Sequence, residues 1–291
     1  MMLAAVRMTV SLLKLRIGVA IAASALAGIA ATQGQVPAWW QTAGMALAVL
    51  GASGAAGAFN QYYERDLDRL MRRTRGRPFA TDAFKPSIWW PVAFLILLLA
   101  SLVLAIAAGG ALAAAYVFLG AFTYGVIYTV WLKRCSAWNI VVGGLAGSFA
   151  VLAGAAAVEP VPQPVPVVLA LVLFLWTPPH FWSLAAAKGD DYRASGVPML
   201  PLVTPAQTWT LAILMHVVAL LAISLAPLGL GCGLVYCLGA GLGGVFFLWK
   251  AWRLRCAPTE ANAMASFFAS LVQLVLLILG VVLDRAVGAW P

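Results

Sequence analysis

Long apolar stretches, interrupted by short polar segments, run along the whole chain. Several reach the roughly 20 residues that an α-helix needs to cross the ~30 Å hydrocarbon core of a bilayer. They are rich in Leu, Ala and Val and lack the alternation of apolar and polar residues that is typical of membrane-spanning strands. The pattern predicts nine spans, at residues 12–32, 40–60, 88–108, 111–131, 139–158, 166–186, 208–227, 230–250 and 264–283. We therefore expect an all-α polytopic membrane protein, with a single membrane domain over residues 1–291.

The composition supports this interpretation. Of the 291 residues, 64% are hydrophobic and only 9% are charged, whereas a soluble domain carries roughly 25% charged residues. The four cysteines form no CxxC pair, so the sequence predicts neither a disulfide framework nor a zinc site. No long segment rich in Arg and Ser precedes the first span, which favours a bacterial plasma (inner) membrane over an organelle.

Basic residues fall in alternate loops between the predicted spans. If the N-terminus is cytoplasmic, every Lys and Arg from Arg7 to Arg255 lies on the cytoplasmic side, and only Arg285 lies outside. Cytoplasmic loops of membrane proteins carry such an excess of basic residues. The distribution predicts nine transmembrane helices with the N-terminus in the cytoplasm and the C-terminus outside. It also explains the net charge of +9 without a nucleic-acid partner.

Acidic residues are rare and clustered. The chain has nine, and five of them lie at the start of two long cytoplasmic loops, residues 61–87 and 187–207. These five are Glu64, Asp66, Asp68, Asp190 and Asp191. Because acids do not contribute to the positive-inside bias, topology leaves the clusters unexplained. Long loops in a compact fold are often functional, so the clusters predict a site at the cytoplasmic face.

The first cluster, NQYYERDLD, spaces an amide and two carboxylates four residues apart. On a helix, Asn60, Glu64 and Asp68 point in nearly the same direction. Such hard oxygen ligands suit Mg²⁺, which proteins commonly hold with one or two carboxylates plus the phosphate oxygens of a substrate. The following RLMRRTRGRP supplies guanidinium groups for phosphate. The alternative interpretation is a solvated helix end whose acids pair with neighbouring arginines.

The second cluster lies in WTPPHFWSLAAAKGDDYRASGVPMLP, residues 176–201. If the helix of this span continues unbroken, His180 and Asp191 lie on one face about three turns apart. Gly189 is the residue that would end the helix early. His216 stands alone in the seventh predicted span. An intramembrane histidine is a functional candidate by default, with hydrogen bonding to a neighbouring helix as the alternative.

At these two clusters the chain resembles the intramembrane aromatic prenyltransferases, the superfamily of 4-hydroxybenzoate polyprenyltransferase. The first motif of that superfamily, N-D-x-x-D-x-x-x-D, reads NQYYERDLD here, with Glu64 in place of the middle acid. Within the superfamily the chain is most similar to the protohaem IX farnesyltransferases. Their pattern N-x-Y-x-E-R-D-x-D-x-x-M-x-R-T-x-x-R-P and their second motif, TPPHFW…K-x-D-D-Y…G-V-P-M-L-P, both match. A benzoate prenyltransferase would carry an acid where this chain has His180.

The resemblance covers most of the chain and implies a reaction. The farnesyl group of farnesyl diphosphate would be joined to the 2-vinyl group of haem B, with addition of water, giving haem O and diphosphate. The implied catalytic residues are Asn60, Glu64, Asp68 and Asp191, and the implied Mg²⁺ ligands are the same four with Asp190. The implied diphosphate-binding residues are Arg73, Arg77 and Lys188. The candidates for contact with haem are His180, His216 and Tyr192.

The implied partners are farnesyl diphosphate, haem B and the lipid bilayer, with haem A synthase as a candidate recipient of the product. The nearest rival function is a related membrane prenyltransferase that acts on an aromatic acid or a quinone precursor. A haem transporter is the rival from a different class. Transporters tend to show paired internal repeats, and the sequence shows no convincing repeat of this kind.

Overall fold

The structure, a computed structural model, describes residues 8–288, and every regular element of that part of the chain is helical. The α-helices are α1 (Leu15–Ala30), α2 (Trp39–Tyr63), α3 (Arg65–Leu70), α4 (Trp89–Phe122), α5 (Asn139–Gly143), α6 (Leu145–Ala156), α7 (Pro164–Ala187), α8 (Gly189–Ser195), α9 (Leu200–Val203), α10 (Ala206–Leu225), α11 (Leu234–Cys256) and α12 (Glu260–Ala286). A π-helix, Thr123–Trp131, extends α4 and is followed by a 3₁₀ turn at Leu132–Arg134, and a second 3₁₀ turn, Ala226–Leu230, extends α10.

Seven helical stretches of the described residues are long and apolar enough to cross a bilayer. They are Trp39–Tyr63, Trp89–Arg134, Asn139–Ala156, Pro164–Ala187, Ala206–Leu230, Leu234–Cys256 and Glu260–Ala286. The expected all-α polytopic membrane fold is therefore confirmed. The count of nine crossings and the orientation of the termini stay predictions, because α1 is shorter than these stretches and Trp89–Arg134 is 46 residues long. Arg7 lies outside the described residues.

A bend divides the long stretch Trp89–Arg134. At Gly110 the backbone adopts φ 84° and ψ 177°, a conformation that favours glycine. A Cβ on the preceding Gly109 would lie 2.6 Å from Met45 Cε and 2.6 Å from Ala157 Cβ. The bend is therefore packed closely against α2 and the end of α6. It coincides with the predicted boundary between the third and fourth spans.

Helices α1 and α6 approach each other so closely that their backbones touch. A Cβ on Gly28 would lie 2.0 Å from the carbonyl oxygen of Val151, and a Cβ on Gly154 would lie 1.8 Å from that of Ala25. Small residues at membrane helix interfaces permit this approach, and van der Waals packing replaces the hydrophobic driving force that lipid removes. This close crossing holds the first predicted span against α6.

Contacts between segments place the two acidic clusters at the same end of the bundle. The pairs that join segments at this end are Lys14 with Asn60, Lys133 with Glu64, Arg134 with Asp66, and Asp191 with the backbone of Arg72 and Arg73. At the opposite end, Gln33 and Gln163 exchange two hydrogen bonds of 2.7 Å and 2.8 Å. There Asp284 also accepts hydrogen bonds from two backbone N–H groups around the start of α11.

Candidate active site

The first motif keeps its common face although its helix is interrupted. Helix α2 ends at Tyr63, and Glu64 (φ −97°, ψ 13°) joins it to α3. The four-residue spacing survives, because the Glu64 N–H donates to the Asn60 carbonyl at 2.9 Å and the Asp68 N–H donates to that of Glu64 at 2.8 Å. The Asn60 Nδ2 group also donates to Glu64 Oε2 at 2.8 Å. The amide and the carboxylate predicted to act together are thus in contact.

Two lysines from distant segments reach this face. Lys133, in the turn after the π-helix, pairs with Glu64 Oε2 at 2.5 Å, and the Glu64 side chain is 1% exposed. Lys14, immediately before α1, donates to Asn60 Oδ1 at 2.5 Å and to the Tyr124 hydroxyl at 2.9 Å. A buried carboxylate without a counter-charge would cost several kcal/mol. Lys133 therefore supplies the counter-charge of the buried Glu64, and Lys14 fixes the amide beside it.

The third member of the motif has a different partner. Asp68 is 3% exposed and receives both of its hydrogen bonds from Arg77 Nη1, each at 2.8 Å. The Thr74 hydroxyl donates to the Asp68 carbonyl at 3.2 Å and closes the intervening loop. Arg77, predicted to bind diphosphate, thus lies directly beside a predicted metal ligand, and this pairing is also the one that the alternative interpretation of the loop expects.

The remaining acid of the first loop, Asp66, faces away from this cluster. Its side chain is 60% exposed and pairs with Arg134 through two bonds of 3.0 Å. Partial burial raises the pKa of Asp66, but hydrogen bonds from Arg134 and from backbone N–H groups more than offset this and bring the pKa below its ordinary value. Asp66 therefore forms a surface ion pair with Arg134 and is not part of the buried cluster.

The second motif does not form the unbroken helix on which the alignment of His180 and Asp191 depended. Helix α7 ends at Ala187, Lys188 is non-helical (φ −125°, ψ 37°), and a separate helix, α8, begins at Gly189. The break changes the direction of the acidic side chains that follow it, so His180 and Asp191 do not share a helix face. The position of Asp191 is set instead by its contacts with the first motif.

Asp191 holds the basic loop of the first motif by its backbone. Its Oδ1 accepts the N–H of Arg72 at 3.0 Å, and its Oδ2 accepts the N–H of Arg73 at 3.2 Å. The Arg73 guanidinium also lies 5.9 Å from the ring centre of Tyr192. Hydrogen bonds to a charged group are stronger than neutral ones. The Asp191 carboxylate therefore fixes the position of the backbone from which the Arg72 and Arg73 side chains extend.

We expect Asp191→Asn to weaken substrate binding because the amide replaces one of the two accepting oxygens by a donor. The loss of a hydrogen bond to a charged group is about 1.5–3 kcal/mol, so the KM for the prenyl diphosphate should rise roughly 10-fold or more. Steady-state kinetics on membranes would measure this. An unchanged KM in Asp191→Asn would contradict the tethering role.

Asp190 and Lys188 lie at the rim of the site. The Asp190 side chain is 94% exposed and pairs with Arg193 at 2.9 Å rather than with a group of the first motif. Lys188 is also exposed. The structure therefore brings Asp191 into contact with the first motif but leaves its neighbour in solvent, and Asp190→Asn should affect KM less than Asp191→Asn.

The two histidines occupy different surroundings within the helices. His180 is 7% exposed and stacks between Trp176, at 4.2 Å between ring centres, and Phe267, at 4.5 Å. Its Nδ1 lies 2.6 Å from the Ser270 hydroxyl. His216 instead bonds a carbonyl of its own helix, that of Ala212, at 2.8 Å. Its ring meets Trp182 edge-on at 5.2 Å.

The oxygen ligands of the first motif fit a hard divalent cation such as Mg²⁺. Glu64 Oε1 is buried and has no hydrogen-bond partner among the described residues, although Oε2 has two. An orphaned buried carboxylate oxygen is costly and needs an explanation, and a metal ion supplies one. Within residues 8–288, no group of three or more His, Cys, Asp or Glu side chains is arranged to hold a metal by itself. Substrate oxygens would have to complete the coordination.

Sequence reasoning missed several residues of this site. The sequence predicted only a topological role for Lys133 and no role for Tyr124, Thr129 or Ser270. Lys14 opens a KLR segment where the resembled family usually has K-P-R, and this departure left it without an assigned role. The Thr129 hydroxyl accepts from Asn60 Nδ2 at 3.0 Å. Ser270 follows Ser266 by four residues in the last predicted span, which was the available signal for it, whereas nothing local marks Lys133.

Comparison with known proteins identifies the family of the chain. The profile of the UbiA prenyltransferase family matches residues 21–272. The chain belongs to this family. Protoheme IX farnesyltransferase 2 of Paramagnetospirillum magneticum is 53% identical over 283 residues, which cover 97% of this chain and 98% of the relative. Protoheme IX farnesyltransferase of Xanthomonas axonopodis pv. citri is 35% identical over 276 residues, covering 92% of each chain.

Solved structures share the fold of this UbiA prenyltransferase. A structure from work on digeranylgeranylglyceryl phosphate synthase in membranes superposes with a TM-score of 0.77 at 16% identity, covering 96% of this chain and 98% of that one. A UbiA homologue from Archaeoglobus fulgidus, bound to DMAPP and Mg²⁺, superposes with a TM-score of 0.70 at 14% identity, covering 92% and 98%. The resemblance inferred from the two motifs is therefore confirmed at the level of family and fold.

Proposed function

We propose that this chain transfers the farnesyl group of farnesyl diphosphate to the 2-vinyl group of haem B, with addition of water, and releases haem O and diphosphate. The observation that carries the proposal is the meeting of the two acidic motifs, where the Asp191 carboxylate binds the backbone of the loop that follows Asn60, Glu64 and Asp68. Membership of the UbiA family supports prenyl transfer, and the names of the similar relatives support haem as the acceptor.

The residues of the first motif would hold Mg²⁺ together with the substrate diphosphate. Asn60, Glu64 and Asp68 are the ligands we assign, joined by Asp191 and, more weakly supported, Asp190. When bound, the metal would neutralise charge on the departing diphosphate. The UbiA homologue bound to DMAPP and Mg²⁺ supports this assignment.

Basic residues complete the electrostatics of the diphosphate site. Arg77 lies against Asp68, and Arg73 and Lys188 lie at the rim, so each can bind oxygens of the leaving group. Lys133 neutralises Glu64, and Arg77 neutralises Asp68, while no substrate is bound, because an unpaired charge there would destabilise the bundle. The protein's own contribution is thus orientation and charge compensation.

The membrane bundle would supply the remaining requirements. The farnesyl chain would lie between the apolar helices, whose walls exclude water until the new bond forms. We place the protein in a bacterial inner membrane as a single domain of nine crossings, with the N-terminus and the active site on the cytoplasmic side and the C-terminus outside. Haem A synthase is the partner we propose for the product.

The test is to express the chain in membranes and to supply farnesyl diphosphate, haem B and Mg²⁺. We expect a product with the mass of haem O, formed only when all three are present. Labelled prenyl transfer to 4-hydroxybenzoate instead of haem would favour the related aromatic prenyltransferase. Movement of haem across vesicle membranes without any change in its mass would favour a transporter and contradict the proposal.

A further inference from the structure

Helix α12 presents a row of buried hydroxyls to α7. Ser266 and Ser270 are both fully buried and lie four residues apart, so they occupy the same helix face. The Ser183 hydroxyl donates to that of Ser266 at 3.0 Å. One turn away, the Ser270 hydroxyl lies 2.6 Å from His180 Nδ1, and the Ser270 carbonyl accepts from Trp176 Nε1 at 2.8 Å.

The hydrogen bonds of Ser270 decide which nitrogen of His180 carries the proton. A hydroxyl has one proton to donate, and Ser270 donates it to the Phe267 carbonyl at 2.6 Å. The serine oxygen must therefore accept from His180, which makes Nδ1 the protonated nitrogen. A buried histidine is neutral because a lone imidazolium is costly there. Nε2 consequently carries a free electron pair.

The free electron pair of His180 has no partner within residues 8–288. Nε2 forms no hydrogen bond with any residue in the described part of the chain. Trp176 and Phe267 stack on the imidazole ring, and Phe181 packs edge-on against it at 5.0 Å between ring centres. In metal sites, a ligating histidine typically donates its other ring N–H to a fixed acceptor, which sets the tautomer and the orientation of the ring.

We propose that Ser270 is a positioning residue that holds His180 with Nε2 directed at the iron of haem B. The inference rests on the proposed function, in which haem B is the acceptor substrate. The depth of His180 agrees with it. Lys188 lies eight residues further along, about 12 Å nearer the rim. If His180 holds the iron, the propionates of the same haem can reach the basic residues at the rim of the site, Lys188 and Arg73.

The alternative is that the hydroxyls only hold α7 against α12, since such bonds commonly join membrane helices. The chain contains a matched control for this. Ser183→Ala removes one α7–α12 hydrogen bond, as Ser270→Ala does, but Ser183 is hydrogen-bonded to Ser266 and not to His180. A purely structural role predicts similar consequences for both variants. A positioning role predicts consequences for the haem spectrum in Ser270→Ala alone.

The experiment is a titration of the purified full-length protein with haem B, followed by the Soret band. We expect His180→Ala to abolish the spectrum of imidazole-ligated haem, and Ser270→Ala to weaken binding about 10-fold or more. Ser183→Ala should bind like the wild type, and Ser270→Thr, which keeps the hydroxyl, should restore affinity. An unchanged spectrum in His180→Ala, or equal weakening in Ser183→Ala and Ser270→Ala, would overturn the proposal.

The same preparations distinguish this inference from the proposed function. Haem O formation by the wild type, measured by mass, tests the function alone. If haem O forms while His180→Ala binds haem with the wild-type spectrum, only the ligation is wrong. If His180-dependent haem binding is seen without haem O, the ligation stands and the proposed reaction fails.

Discussion

Replacing Glu64 by glutamine is expected to lower haem O formation by at least about 100-fold, the effect of removing one electrostatic group from a catalytic site. Glu64 is fully buried, contacts Asn60 and Lys133, and keeps one oxygen without a hydrogen-bond partner in the part of the chain that the structure describes. Glutamine preserves the shape but removes the charge that would bind the metal. Asp68→Asn, which loses its charge opposite Arg77, should have a similar effect. Haem O in membranes, quantified by mass against the amount of inserted protein, measures both.

The matched control for these variants is Asp66→Asn. Asp66 belongs to the same loop and is ion-paired, but its side chain is 60% exposed and its partner Arg134 is 37% exposed. Exposed pairs contribute at most about 1 kcal/mol, so this variant should keep activity within about fivefold. If Glu64→Gln fails to insert because Lys133 is left unpaired, the double variant with Lys133→Gln removes both charges. Full activity in Glu64→Gln would disprove the metal assignment.

Adding one methyl group at Gly154 is expected to destabilise the whole bundle. The new Cβ would lie 1.8 Å from the carbonyl oxygen of Ala25, so the α1–α6 crossing has to open. Overpacking a close-packed site typically costs 1–3 kcal/mol, and here the obstacle is backbone, which cannot rotate away. We expect Gly154→Ala to lose at least about 3 kcal/mol, which lowers the thermal midpoint in detergent by roughly 5–10 °C.

Gly241→Ala is the control for this prediction. Gly241 lies inside α11, and a Cβ there would meet no heavy atom within 4 Å. Alanine is also the better helix former by about 1 kcal/mol, so the midpoint should stay the same or rise. Equal destabilisation by the two substitutions would show that the close crossing is not what limits stability.

The sequence was sufficient to predict those features of the fold and of the site that depend on residues close together in the chain. Apolar length predicted an all-helical membrane protein, and the spacing of Asn60, Glu64 and Asp68 predicted a shared face that survives a helix interruption. The bend at Gly110 also falls where the apolar pattern placed a boundary. These features depend on residues within one or two helical turns of each other, so periodicity and turn chemistry can reveal them.

The rest of the site depends on residues that are distant in sequence. Lys14 reaches Asn60 across 46 positions, and Lys133 reaches Glu64 across 69. No periodicity relates such pairs, and both lysines also satisfied the positive-inside rule, which gave them an explanation without a partner. The interruption at Lys188 was foreseen through Gly189, but the docking of Asp191 on the backbone of the first loop requires the tertiary fold.

The internal neutralisation of the acidic face has a consequence for the order in which ligands arrive. Carboxylates that already hold ammonium and guanidinium groups exert little attraction on a free divalent ion. A prenyl diphosphate carrying its own magnesium would bring both charges at once: Lys133 and Arg77, now paired with Glu64 and Asp68, would be free to bind the anion, and the two carboxylates would be free to hold the cation. Each charged group would then change its partner without becoming unpaired, so the interior would not carry a large net charge. Magnesium and substrate should therefore enter as one complex, rather than metal first.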